Sequence, residues 1–105
     1  MSEQRRHQRA PIDVALEFVA KGGTERLPGR ARDISLGGMF IETAAKSLPF
    51  ASELVVHVTL PGQRALFVLP GVVRWSDKDG MGVQFGLIGA RETHAITELT
   101  RANSV

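Results

Sequence analysis

The sequence predicts an all-β fold with one short helix: a six-stranded antiparallel β-barrel that carries a C-terminal α-helix. Three observations support this. Apolar and polar residues alternate in several short segments, glycine- and proline-containing turns separate those segments, and only the end of the chain has helical spacing. A helix this short is not stable alone, so we expect it to pack on the barrel.

Length and composition indicate a single domain over residues 1–105. The chain is 43% hydrophobic, which is enough apolar material for one core. Within the domain we expect a flexible, arginine-bearing arm at 1–11, the barrel at 12–88 and the helix at 90–101. No internal repeat or low-complexity segment interrupts this order.

The strand predictions rest on two-residue periodicity. In the first strand Ile12, Val14, Leu16 and Phe18 share one face, as in a half-buried strand. The later strands are predicted in the segments GRARDIS, MFIET, ELVVHVTL, ALFVLPGVVRW and MGVQFGL.

The turn and helix predictions follow from the residues between and after these strands. Pro70-Gly71 falls inside a strand segment, so we expect a bulge or bend there. Lys78-Asp79-Gly80 is typical of a hairpin turn. After it, alternation predicts that Met81, Val83, Phe85 and Leu87 share one side. In the helix, Ala95, Ile96 and Leu99 lie one turn apart.

Cysteine content and charge limit the kind of protein and partner. The chain contains no cysteine, which excludes disulfides and thiolate chemistry and favours a reducing, cytoplasmic location. No segment is apolar enough for membrane insertion. The net charge is only +2, but basic residues concentrate in the first third and favour an anionic partner. These residues are Arg5, Arg6, Arg9, Lys21, Arg26, Arg30 and Arg32.

Catalytic and metal-binding patterns are missing from the sequence. His7, His57 and His94 are isolated, and no HxH or HExxH pair is present. No serine lies in a GxSxG-like elbow. We therefore expect no catalytic residue, no metal site and no cofactor.

The segment DISLGG holds the first candidate binding residues. If it is extended, Asp33 and Ser35 point to the same face of the sheet, and Gly38 lies beside them. A carboxylate suits the N–H donors on the Watson–Crick edge of guanine, and arginine suits guanine O6 and N7 as well as phosphate oxygens. With arginines nearby on the arm, these groups match an anionic guanine nucleotide.

Two motifs together resemble the signature of PilZ domains, which bind the bacterial second messenger cyclic di-GMP. The arm RRHQR fits RxxxR through Arg5 and Arg9, and DISLGG fits [D/N]xSxxG through Asp33, Ser35 and Gly38. The segments GVVRW and GMGVQF also look like later strands of that family. The resemblance covers nearly the whole chain.

The resemblance implies a role for each matched residue. Arg5 and Arg9 would grip phosphates and stack on or hydrogen-bond guanine, Asp33 would accept from a guanine edge, and Ser35 would make a polar contact. Gly38 would let the backbone approach the base. Arg6 is a possible auxiliary cation. Trp75 is expected to pack in or on the barrel, outside the ligand site.

The resulting hypothesis is a non-enzymatic receptor and adaptor. Cyclic di-GMP would close the arm over the barrel and change a surface that a downstream protein recognises, with motility, polysaccharide or virulence as the output. The protein would be a monomer or a homodimer and would bind one ligand molecule or an intercalated pair. Two alternatives stay open: a PilZ-fold interaction module that binds no nucleotide, and a small barrel that binds single-stranded nucleic acid. Under the leading hypothesis we expect no nucleic-acid partner.

Overall fold

The computed structural model describes residues 8–43 and 47–102. Over these residues the alternating segments form six strands, and the segment with helical spacing forms one helix. The elements are β1 (Ala10–Ala20), β2 (Leu27–Ile34), β3 (Gly38–Glu42), β4 (Glu53–Val58), β5 (Phe67–Ser76), β6 (Gly80–Phe85) and α1 (Ala90–Ala102).

The six strands form one closed barrel in the order β1-β2-β3-β6-β5-β4, and each neighbouring pair is antiparallel. β1 closes the barrel because it pairs along most of its length with β2 and near its end with β4. The β1–β4 register runs from Glu17↔His57 to Ala20↔Leu54. The predicted fold class, an all-β barrel with a C-terminal helix, is confirmed.

The barrel interior is a continuous apolar core built from the inward faces of the strands. In β1, Leu16 and Phe18 are buried, whereas Asp13 and Glu17 are exposed, as their alternation predicts. The largest fully buried side chains are Phe18, Ile34, Met39, Ile41, Val56, Val58, Leu60, Phe67, Leu69, Val73, Met81 and Ile96.

β1 begins before residue 12, the expected start of the barrel. Ala10 is fully buried in the core and pairs with Ile34, and Pro11 pairs with Asp33. Because the strand includes these two residues, Arg9 directly precedes the barrel. Residues 1–7 of the expected arm lie outside the described residues.

The expected bulge at Pro70-Gly71 is not there. Pairing of β5 with β4 continues through both residues, and the register shift in β5 lies between Val73 and Trp75, opposite β6. Proline is tolerated at position 70 because the Pro70 nitrogen faces the side on which β6 has ended. The missing N–H donor therefore costs no hydrogen bond between strands. The Pro70 carbonyl on that side accepts the N–H of Gly86 at 2.8 Å.

The prediction that Leu87 continues the buried face of β6 is wrong. β6 ends at Phe85, and the chain leaves the barrel at Gly86 toward the helix. Leu87 is therefore 96% exposed.

The β5–β6 hairpin forms where its turn residues predict. Asp77 Oδ1 accepts hydrogen bonds from the N–H groups of Asp79 and Gly80 at 2.8 and 3.0 Å. This arrangement is an Asx-turn, which is typical of aspartate. The Asp77 N–H in turn donates to the Gly80 carbonyl at 2.9 Å.

The helix α1 packs through one apolar side. Ala95 and Ile96 are buried, and the Arg91 guanidinium lies 5.3 Å from the centre of the Phe67 ring of β5. Glu92 in the first turn and Arg101 in the last turn complement the helix dipole. No helix of the described residues is long and apolar enough to cross a membrane.

We expect Phe18→Ala to lower the free energy of unfolding by about 3–5 kcal/mol, because the change leaves a cavity in the core where β1 pairs with both β2 and β4. Leu87→Ala is the matched control, since it truncates a large apolar side chain that contacts solvent. Urea denaturation of both variants measures the difference. Equal losses of stability would contradict the described core.

Candidate functional site

The start of β1 and the β2–β3 hairpin meet at one rim of the barrel. The pairs Ala10↔Ile34 and Pro11↔Asp33 fix the two segments in register. Because Arg9 directly precedes Ala10, its side chain reaches the hairpin.

The position of Asp33 depends on a β-bulge in β2. The register against β3 shifts between Ala31 and Asp33, so that Arg32 is the extra residue. As a result the neighbours Arg32 and Asp33 are both accessible, although a regular strand would direct them to opposite faces. The Phe40 N–H donates to Asp33 Oδ1 at 3.2 Å and holds the carboxylate at the rim.

Arg9 contacts both polar side chains of the DISLGG motif. Its Nη2 donates to Asp33 Oδ1 at 2.8 Å, and its Nη1 donates to Ser35 Oγ at 3.4 Å. The side chains of Arg9 and Asp33 are 29% and 35% exposed, so water screens their ion pair only in part. The second arginine of the RxxxR motif and two residues of the second motif therefore lie together.

Ser35 is part of the hairpin turn itself and is almost fully buried. Its Oγ accepts the Gly37 N–H at 3.1 Å, and its own N–H donates to the Gly38 carbonyl at 2.8 Å. Ser35 follows the end of β2, so it does not share a face with Asp33 through regular strand alternation, as an extended segment would require. The turn and the bulge bring both side chains to Arg9 instead.

Gly38 has a packing reason to be glycine. It opens β3 opposite Gln84 of β6, and an added Cβ atom would collide with the Val83 carbonyl oxygen. The missing side chain thus lets the hairpin lie close against β6. This close approach to a strand accounts for Gly38 independently of any ligand.

An aromatic pair lies beside Arg9 on the outside of the barrel. The Phe40 and Trp75 rings stack with centroids 5.3 Å apart and planes 13° apart. Gly82 makes room for them, because an added Cβ atom there would collide with the Trp75 indole. Trp75 stays 50% exposed, so one aromatic surface faces solvent.

Two adjoining depressions connect these groups. One has a volume of about 250 Å³ and is bordered by Arg9, Ser35, the Gly37-Gly38 turn, Arg74, Trp75 and Gln84, among others. The other is bordered by Arg9, Asp33, Phe40, Trp75 and Gly82. We call the surface formed by Arg9, Asp33, Ser35, Phe40 and Trp75 the rim site.

Trp75 packs on the barrel against Phe40, as expected, and it also borders both depressions next to Arg9. The sequence contains a signal for the position of Trp75. The hairpin turn at residues 78–80 sets Trp75 across from Gly82, and an aromatic residue opposite a strand glycine covers that glycine.

Several other predicted residues lie away from the site or outside the described chain. Arg5, Arg6 and His7 are outside the described residues. His57 is in β4 and His94 in α1, neither of which borders the rim site. Within residues 8–43 and 47–102, no group of three or more histidine, aspartate or glutamate side chains could hold a metal ion.

The rim site carries groups that can bind a ligand. It offers a guanidinium, a carboxylate and an exposed aromatic face. A planar base with N–H donors on one edge and an attached anionic group complements all of these features.

Comparison with known protein families agrees with this geometry. The sequence matches the family model described as "PilZ domain" over residues 3–102. The chain belongs to the PilZ domain family. No curated protein matches it significantly.

Solved structures show the same PilZ fold at low sequence identity. The PilZ domain of CeSA from a cellulose-synthesizing bacterium has a TM-score of 0.70 and 15% identity, over 92% of this chain and 98% of that one. The PilZ domain of YcgR from Escherichia coli, solved with c-di-GMP, has a TM-score of 0.70 and 18% identity, over 98% and 100%.

A third solved structure is a longer protein. The Bacillus subtilis inhibitor of motility, MotI/DgrA, has a TM-score of 0.76 and 18% identity, over 96% of this PilZ chain. The match covers 52% of that protein, so this chain corresponds to about half of its length.

Gly82→Ala tests the packing of the aromatic pair. The added methyl group should displace the Trp75 indole, separate it from Phe40 and destabilise the fold by about 1–3 kcal/mol. Because Trp75 is the single tryptophan, its fluorescence emission reports the displacement directly.

The control for that variant is Gly86→Ala, where the nearest atom to an added Cβ is Pro70 Cγ at 3.6 Å, an ordinary contact. Its emission spectrum should match that of the unmodified protein. An unchanged spectrum for Gly82→Ala as well would contradict the described position of Trp75.

Proposed function

We propose that this PilZ domain is a non-enzymatic receptor for cyclic di-GMP. The observation that carries the proposal is the contact of Arg9 with both Asp33 and Ser35. Residues of the two signature motifs, distant in sequence, thereby lie in one site next to an exposed aromatic face.

The proposed ligand contacts follow from the chemistry of each side chain. Arg5 and Arg9 bind phosphate oxygens or the O6 and N7 atoms of guanine, with Arg6 as an auxiliary cation. Asp33 accepts from the N1 and N2 donors of a guanine edge, and Ser35 makes a polar contact. Gly38 keeps the hairpin backbone close to β6, where a base can approach it.

The carboxylate of Asp33 has room for a guanine edge while Arg9 stays bound. Both contacts of Asp33 with described residues, from Arg9 Nη2 and from the Phe40 N–H, use Oδ1. Oδ2 is therefore available to an incoming N–H donor. Trp75 is half exposed beside this carboxylate, so its indole can stack on the same base.

Family membership and the fold neighbours support this ligand class. The YcgR domain, which shares this fold over nearly the whole chain, was solved with c-di-GMP. In this chain the motif residues Arg9, Asp33 and Ser35 lie in the rim site, and Gly38 borders one of its depressions.

The proposed response to the ligand is closure of the arm that carries Arg5 and Arg6, because the anionic ligand attracts both cations. The changed surface then binds a downstream protein in the cytoplasm. In this role the domain acts as an adaptor, with motility, polysaccharide or virulence systems as the output. Likeness to an inhibitor of motility is compatible with the first of these.

Arg9→Ala should weaken cyclic di-GMP binding by about 2–4 kcal/mol, because it removes charge-assisted contacts to the ligand. The melting temperature of the free protein should change little, since a partly exposed ion pair contributes about 0–1 kcal/mol. Isothermal titration calorimetry and a thermal melt measure the two quantities.

Arg26→Ala is the matched control for Arg9→Ala. It breaks a comparable ion pair, Arg26 Nη1 to Glu17 Oε1 at 3.2 Å, at a position that does not border the rim site. We expect its affinity to equal that of the unmodified protein. Wild-type affinity in Arg9→Ala would contradict the proposed binding mode.

Asp33→Ala tests the base specificity of the site. The change removes the acceptor for the N–H donors of the guanine edge, so the preference for cyclic di-GMP over cyclic di-AMP should fall by about tenfold or more. Competition titrations with the two dinucleotides give this ratio. An unchanged ratio would remove Asp33 from the guanine-binding role.

The alternative functions predict different results in the same titrations. A binder of single-stranded nucleic acid would prefer an oligonucleotide to the dinucleotide and lose affinity steeply with salt. An interaction module without a nucleotide would give neither heat of binding nor a shift in melting temperature at high ligand concentration.

A further inference from the structure

A second β-bulge turns two neighbouring side chains of β5 toward the rim site. Val73 pairs with Val83 and Trp75 pairs with Gly82, so Arg74 is the extra residue between them. Val73 is fully buried, whereas Arg74 and Trp75 are both exposed and border the same depression. Without the bulge, Arg74 and Trp75 would lie on opposite faces.

Gln84 of β6 orients the Arg74 guanidinium. Gln84 Oε1 accepts from Arg74 Nε at 2.6 Å, and both residues border the depression. A guanidinium has five N–H donors, and this contact uses one of them. The terminal nitrogens are left to bind another acceptor.

The charge of Arg74 is not compensated within the described residues. Five other described arginines form ion pairs with carboxylates, at positions 9, 26, 30, 32 and 101, whereas no described carboxylate pairs with Arg74. Gln84, its hydrogen-bond partner, is neutral. Among the residues that the structure describes, no carboxylate borders this depression, whereas Arg9 does. The depression therefore carries an excess positive charge beside an aromatic surface.

From this arrangement we propose that Arg74 forms a phosphate subsite for the bound dinucleotide, with Gln84 as the residue that positions it. The inference rests on the proposed function. A planar guanidinium binds two oxygens of a phosphodiester through parallel N–H groups. A base that stacks on Trp75 places its attached phosphate near the next residue of the bulge, Arg74. Arg9, which borders the same depression, binds the ligand next to Asp33.

The test is the affinity of the whole chain for cyclic di-GMP in Arg74→Ala. Loss of one charge-assisted contact should raise Kd about tenfold to a hundredfold, and the increase of Kd with salt should become shallower. Arg74→Lys keeps the charge but loses the planar guanidinium with its parallel N–H donors. Its Kd should therefore lie between those of the unmodified protein and Arg74→Ala. The melting temperature of the free protein should stay unchanged, because Arg74 is on the surface.

Arg64→Ala is the matched control, since Arg64 is also exposed and has no carboxylate partner among the described residues but does not border the depression. Its Kd should equal that of the unmodified protein. Gln84→Ala should raise Kd when Arg74 is present. It should not raise Kd further in the Arg74→Ala background, because Gln84 is proposed to act only by positioning Arg74.

The outcomes separate the two proposals. If the unmodified protein binds, Arg9→Ala loses affinity and Arg74→Ala binds like Arg64→Ala, then the phosphate subsite is wrong and the receptor function stands. If the unmodified protein does not bind cyclic di-GMP, both proposals are wrong. An additive effect of Gln84→Ala in the Arg74→Ala background would overturn the positioning role of Gln84.

Discussion

Closure of the barrel by β1 is the constraint on which the rest of the structure depends. β1 pairs with β2 from its first residue and with β4 near its last, so it leaves neither neighbour with an open edge. The same pairing places Ala10 in the core next to Ile34. Arg9 is thereby attached to the barrel at the point where it can contact Asp33 and Ser35.

The rim site occurs where the regular strand geometry is interrupted. Bulges in β2 and β5 each direct two consecutive residues outward, at positions 32–33 and 74–75. Glycines in the neighbouring strands allow close packing around them, because Gly38 lies against the Val83 carbonyl and Gly82 lies under the Trp75 indole. Polar and aromatic side chains therefore gather on one outer surface while the core behind them stays apolar.

The sequence predicts the fold well because the core depends on simple periodicity. Leu16 and Phe18 are buried as their alternation predicts, and the Lys78-Asp79-Gly80 turn forms its hairpin. The prediction for Leu87 was wrong because alternation continues in the sequence after the pairing with β5 has ended. Pairing depends on the partner strand, which the local pattern does not contain.

The candidate site was predictable only in part, for a related reason. The motifs identify Arg9, Asp33 and Ser35, but an alternating pattern cannot show where a strand gains an extra residue. The bulge was expected at Pro70-Gly71, where proline interrupts the sequence, and it lies at Arg74 instead. Trp75 and Arg74 were missed because their common orientation depends on that bulge, and Gly38 was assigned to the ligand although its contact with β6 already requires glycine.

The central claim is that cyclic di-GMP binds at the rim where these interruptions meet. The most direct test is a titration of the isotopically labelled protein with cyclic di-GMP, followed by two-dimensional NMR. We expect the largest shift changes at the backbone amides of the β2–β3 hairpin, at the Trp75 indole N–H and in β6 near Gly82. Unchanged spectra, or changes confined to the surface around Ala15, Pro28 and Leu66, which does not border the rim site, would contradict the account.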